Sequence, residues 1–219
     1  MSISGAFPKA DHVNVGSGRN TRRPMRRPLA AAVTAAVAAL MVLGVDALPA
    51  QAVVTGVTTS GFEEPAIGTP VQEFGGGQYL EGWEVYPGTV DVVGQDYWQA
   101  ADGAQSVDLN GSGPGGISQK FEVVPNEWYE LRFSLAGNPE GGLAEKRLGV
   151  FVDGGYELYS FDTTGHSGSE MGYRTESLRW LADDADSEVI FRSFSQGPWG
   201  PVIDNVRFCV TSCEDQEVA

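Results

Sequence analysis

The chain predicts an all-β sandwich, and three observations carry that prediction. Glycine and turn-forming residues recur roughly every eight to twelve positions through residues 53–212. No stretch of that region holds a helical period for long. Where a pattern is clean, it alternates. In Tyr129-Glu-Leu-Arg-Phe-Ser-Leu135 the apolar side chains fall on one face and Glu130, Arg132 and Ser134 on the other.

The strands follow in order. The first is expected over 53–62 and runs into Gly61-Phe-Glu-Glu-Pro65. Gly75-Gly-Gly77 has no following Lys-Ser/Thr and no helical pattern, so it reads as a flexible loop and not a phosphate cradle. Strands over 82–86 and 89–93 come next, opened by Gly82-Trp83 and carried by Val90-Asp-Val-Val93. A strand over 105–109 leads into Asn110-Gly-Ser112, an ordinary turn that also matches a glycosylation sequon. The strand 117–124 stops at Pro125-Asn126, the turn before 128–136. Strands over 147–153 and 157–161 precede 173–181, in which Leu178 and Trp180 should point inward. After 187–194 comes the last strand, 202–211. Its residues Val202, Asp204, Val206, Phe208 and Val210 share one side. Four of those five are apolar, so that side reads as buried and Asp204 as facing inward. A buried carboxylate needs an ion partner, hydrogen-bond donors or a metal. Four segments rich in Gly, Pro, Asn and Asp (94–104, 137–146, 162–172 and 195–201) read as loops at the rim of the sandwich.

Residues 1–52 are set apart from the fold. Arg22, Arg23, Arg26 and Arg27 precede an Ala/Val/Leu-rich run over 29–45, and Ala50-Gln-Ala52 supplies a small-x-small cleavage signature. This is the pattern of a signal peptide. Asp46, Pro49 and the shortness of the run weaken a retained membrane helix. Met25 to Ala52 is a compact signal peptide by itself, and the arginine pairs leave Sec and twin-arginine export both open. The expected product is one β-sandwich domain over 53–212 with a short acidic tail, 213–219. It is expected to be secreted, extracellular, monomeric and free of the membrane after signal cleavage.

Charge narrows the partners. The full chain carries 14 basic and 29 acidic residues. Beyond residue 52, eight and 27 remain, a net charge of −19. Such a surface repels phosphate backbones and anionic membranes, which argues against nucleic acid. The two cysteines, Cys209 and Cys213, are expected to form a disulfide that staples the end of the domain.

Several motifs in consistent order carry a family resemblance. They are Gly61-Phe-Glu-Glu-Pro65, Gly82-Trp83, Tyr97-Trp98, and Asp102-Gly-Ala-Gln-Ser-Val-Asp-Leu-Asn-Gly111. Gly116-Ile-Ser-Gln119, Leu135-Ala-Gly-Asn-Pro139 and Gly200-Pro-Val-Ile-Asp-Asn-Val206 complete the series. Together they resemble the choice-of-anchor C family of secreted bacterial proteins, and the plant cell-wall family of unknown function with paired galactose-binding-like domains. The resemblance implies a jelly-roll β-sandwich of the galactose-binding-domain type. It also implies a structural calcium held by an acid after the N-terminal Phe and by an Asp on the last strand. By position these are Glu63 and Asp204, with Glu64 as a substitute for the first; the alternative is that backbone amides neutralise Asp204.

Sugar sites pair an aromatic platform with polar groups. Trp98 and Trp199 fall in rim loops and are the candidate platforms, with Tyr97 and Asn138 nearby; the competing reading packs both indoles under their own loops. Catalysis has little material. Beyond residue 52 there is one histidine, and no Gly-x-Ser-x-Gly or His-Glu-x-x-His motif occurs. The sequence therefore predicts a non-catalytic binding module, not an enzyme, for extracellular or cell-wall polysaccharide. The alternative is a module that grips a cell-wall or envelope protein without binding glycan.

Overall fold

The computed structural model describes residues 56–214 and the backbone of a two-residue strand, β1 (Ile3–Ser4). Apart from that strand, the signal-peptide reading of 1–52 lies outside the described residues, as do the last five residues of the acidic tail.

The remaining strands are β2 (Val57–Ser60), β3 (Val71–Gly75), β4 (Tyr79–Leu80), β5 (Trp83–Val85), β6 (Thr89–Gly94) and β7 (Gln105–Asp108). They continue with β8 (Gly116–Glu122), β9 (Trp128–Gly137), β10 (Glu145–Val152), β11 (Gly155–Asp162), β12 (Arg174–Leu181), β13 (Asp186–Ser193) and β14 (Pro201–Val210). Two antiparallel sheets result. The first has the order β1-β11-β10-β13-β8-β5-β4; the second has β12-β9-β14-β7-β6-β3, with β2 also pairing β14. From β7 onward the chain passes repeatedly between the sheets, which makes the sandwich a jelly roll. All eleven expected strands are present. Sequence reading missed three strands: β1, which pairs β11, and β3 and β4, which flank the glycines at 75–77; β3 is an edge strand in which only Phe74 of five residues is buried.

Aromatic rings hold the layers together. Phe121 of the first sheet stacks on Phe208 of the second at 4.0 Å, and Phe133 meets Phe191 at 5.0 Å. Trp83 lies between Phe121 and Phe191. Cys209 and Cys213 form the expected disulfide, and the Cys213 amide donates to Glu130 Oε2.

The last strand departs from simple alternation. Asp204 stands opposite Ser134, but Arg207 stands opposite Arg132, so β14 carries one extra residue, and Asn205 there has φ +46°. This bulge switches which side chains face the core. Phe133 and Leu135 face the first sheet, so Ile203, opposite Leu135, shares their side. Asp204, opposite Ser134, lies on the outer face of the second sheet. It is nonetheless fully buried, beneath the loop 95–104. The expectation of an Asp204 facing the interior between the sheets is corrected on this point: the acid is buried under a loop.

Candidate functional site

The four rim segments meet. The Gln99 amide donates to Gly168 O, and the Asn138 amide to Gly200 O. The Tyr97 hydroxyl donates to Glu140 Oε2 at 2.6 Å. The Trp199 indole rests on Gly141, where a Cβ would come within 2.7 Å of the ring, so a larger residue would displace it.

Of the expected binding residues, three fall together here. Trp199 is 36% exposed and Tyr97 43%. Asn138 is buried and acts from below: its Nδ2 donates to Asp108 Oδ2 and its Oδ1 accepts the Glu140 amide, which fixes the loop that carries Glu140 and Gly141. Trp98 is the exception. It is 3% exposed, and its Nε1 donates to Ser106 Oγ, so the ring packs against the outer face of the second sheet and offers no open surface. The packing alternative describes it. A rim position alone could not reveal this, because the register that places Ser106 beneath the loop depends on β7 pairing.

Sequence reading also missed Asp108 and Glu140. Asp108 is 1% exposed and is a common post for the rim. Its Oδ1 accepts the amides of Asn110 and Gly200, and its Oδ2 the Asn138 side chain. The signal was present as an acid inside a strand of buried residues, the same pattern that singled out Asp204. Burial pushes its carboxyl up to about 7 against those donors, with Asp91 directly opposite adding repulsion. Burial lowers the Lys146 ammonium, whose Nζ donates to Gly141 O.

The acids expected to hold calcium are arranged around the loop 101–105. Asp204 Oδ2 accepts the amides of Ala101 and Asp102, and Oδ1 that of Asn205. Glu63 Oε1 accepts the amides of Ala104 and Gln105. The two carboxylates thus grip opposite ends of one turn. Glu64 is exposed, and its carbonyl accepts the Glu81 amide. Among the described residues, no group of three or more His, Cys, Asp or Glu is placed to hold a metal. N–H groups aim their positive ends at both oxygens of Asp204 and at Oε1 of Glu63, so these positions fit amide donors and not calcium.

A pH dependence follows. Burial raises Asp204 to about 7, Asp108 to about 7 and Asp91 to about 6, each from 3.8. Between the unfolded and folded values the native state binds more protons than the unfolded chain, so stability falls as pH rises. The melting midpoint is expected to be higher near pH 5 than near pH 8. A midpoint that rises over that interval would contradict the assignment.

Beside the rim lies a cleft of about 330 Å³, lined by Glu145, Lys146, Arg147, Phe194, Gln196 and Trp199 among others. An aromatic face and several polar groups therefore converge on one concave surface.

A family profile described as a protein of unknown function (DUF642) matches residues 58–209. The chain belongs to the DUF642 family. That match covers all strands from β3 to β13 and most of β2 and β14, and it supports the likeness to the plant cell-wall family. The narrower choice-of-anchor C likeness rests on the sequence motifs alone. Over 136 residues this DUF642 chain is 30% identical to halomucin of Haloquadratum walsbyi, spanning 61% of the chain but 1% of that protein's length. Among solved structures it is similar to a family 35 carbohydrate-binding module from Clostridium thermocellum, with 13% identity and a TM-score of 0.42 over 70% of the chain and 97% of the module. It is also similar to the C-terminal family 6 module of a laminarinase from Zobellia galactanivorans, with 13% identity and a TM-score of 0.41 over 70% and 99%.

Proposed function

We propose that this DUF642 domain is a secreted, non-catalytic module that binds extracellular polysaccharide through its rim. The observation that carries the reading is Trp199: a partly exposed indole, fixed on Gly141 at the mouth of a cleft lined by Lys146, Arg147 and Gln196. Sugar rings present an apolar C–H face and a hydroxyl edge, and such a surface serves both. Tyr97 and Glu140 extend it with a phenol and a carboxylate. Rim loops braced by Asp108 and Asn138 need little reordering on binding, which limits the entropic cost of capture.

Affinity electrophoresis through gels containing single polysaccharides tests this. Trp199→Ala is expected to weaken retention about 10- to 100-fold without lowering the melting midpoint. Trp128→Ala, at an exposed indole on β9 outside the rim cleft, should leave retention unchanged. Equal losses in both variants, or no retention of the native protein on any polysaccharide, would overturn the proposal. The second outcome, with a specific protein captured instead, would favour a protein-gripping module.

A further inference from the structure

The rim cleft does not stop at Trp199. Arg147 and Phe194 line it and also line a second hollow of about 420 Å³ on the outer face of the first sheet, bordered by Phe151, Tyr156 and Leu158. The floor is Gly149, where a Cβ would lie 2.5 Å from the Phe194 ring and 3.0 Å from that of Phe151. Glycine thus lets the two rings close over the strand. Phe151 stands 6.3 Å from Phe194 and 5.8 Å from Tyr156, centroid to centroid. Phe194 and Tyr156 remain 43% and 47% exposed. The result is a row of aromatic rings leading from Trp199 across β13, β10 and β11.

Two guanidiniums frame this row. Arg192 is opposite Gly149 on β13 and lies 5.7 Å from the Phe194 ring centre. Arg147 is opposite Phe194, whose amide donates to the Arg147 carbonyl. Both side chains are exposed, and among the described residues neither has a carboxylate within ion-pair distance. No acid lines the hollow itself. Beyond residue 52 the chain has only eight basic residues against 27 acidic ones. Two exposed, unpaired arginines beside one aromatic groove are therefore a local reversal of the protein's charge.

We infer that the groove continues the binding site and selects a polysaccharide chain bearing uronate carboxylates. This rests on the polysaccharide-binding reading above and names its ligand class. In a uronate the carboxylate is attached to a ring carbon, so a sugar stacked on Phe194 or Phe151 holds its charge at the ring's edge. A guanidinium beside the platform meets that planar group with two parallel hydrogen bonds. The length of the row favours an internal stretch of chain over a single terminal sugar.

Calorimetric titration with polygalacturonate oligomers, their methyl esters and dextran sulfate, all in chelator, tests the inference. The ester removes the charge and keeps the sugar. The acid form is expected to bind at least about tenfold more tightly than the ester. The double variant Arg147→Gln/Arg192→Gln should bind acid and ester with equal affinity, losing most on the acid, and leave the melting midpoint unchanged. Phe194→Ala should weaken both forms. Equal binding of acid and ester, no loss in the arginine variant, or equal affinity for dextran sulfate at matched charge would overturn the inference. Trp199-dependent binding of a neutral glycan, with none of the polyuronate, would overturn it and leave the rim proposal standing. Absence of binding to every glycan would overturn both.

Discussion

Asp204→Asn is expected to destabilise the domain by about 3–5 kcal/mol, lowering the melting midpoint by roughly 10 °C. Both carboxyl oxygens of Asp204 face backbone donors: Asn205 N at 2.6 Å on one side, Ala101 N at 2.7 Å and Asp102 N at 2.9 Å on the other. An asparagine has one acceptor oxygen, and its NH₂ must point at N–H groups whichever way it turns. Protonating the native acid is far milder, because a carboxyl oxygen keeps a lone pair and an amide nitrogen has none available. Glu63→Gln makes the contrast. Only Oε1 of Glu63 takes the Ala104 and Gln105 amides, so glutamine can keep its oxygen there, and the cost should stay below about 1 kcal/mol. Denaturant melts of both variants check the pair, and comparable losses would contradict the amide clamp. Because amides hold the acid, adding chelator to the native protein should leave its midpoint unchanged.

Asp108→Ala should cost about 3 kcal/mol and abolish polysaccharide retention together. It strips the acceptor from Asn110 N, Gly200 N and Asn138 Nδ2, and so frees the two loops that present Glu140 and Trp199. Asp108→Asn is expected to cost about 1 kcal/mol, one hydrogen bond's worth. There the Asn138 amide can turn its oxygen to the new NH₂ group, giving up only the Glu140 amide. The same variant should flatten the fall in stability between pH 5 and pH 8, since one of the buried acids that titrates there is gone. Retention unaffected by Asp108→Ala would mean that the rim does not depend on this post.

The frame of the molecule was legible in the chain because alternation and turn chemistry are local. Tyr129 to Leu135, Leu178 and Trp180 needed only a period of two. The burial of Asp204 was legible for the same reason. Which face it occupies was not, because a single bulge at Asn205 reverses the parity of the residues before it, and bulges leave little trace in composition. The candidate site was half legible. Loop position suggested Tyr97, Asn138 and Trp199, and these do converge. Loop position also suggested Trp98, whose burial depends on Ser106 of a neighbouring strand. The aromatic groove of Phe151, Tyr156 and Phe194 went unread because its members come from three strands or their ends, each unremarkable alone, and only the register brings them over Gly149.

Amide hydrogen exchange of the domain, free and saturated with a retained polysaccharide, locates the bound chain on the surface. Exchange should slow in the rim segments 138–144 and 194–200, which carry Glu140 and Trp199. Protection instead around the separate hollow formed by Ile67, Pro70 and Asp96, or no change in either rim segment, would contradict binding at the rim.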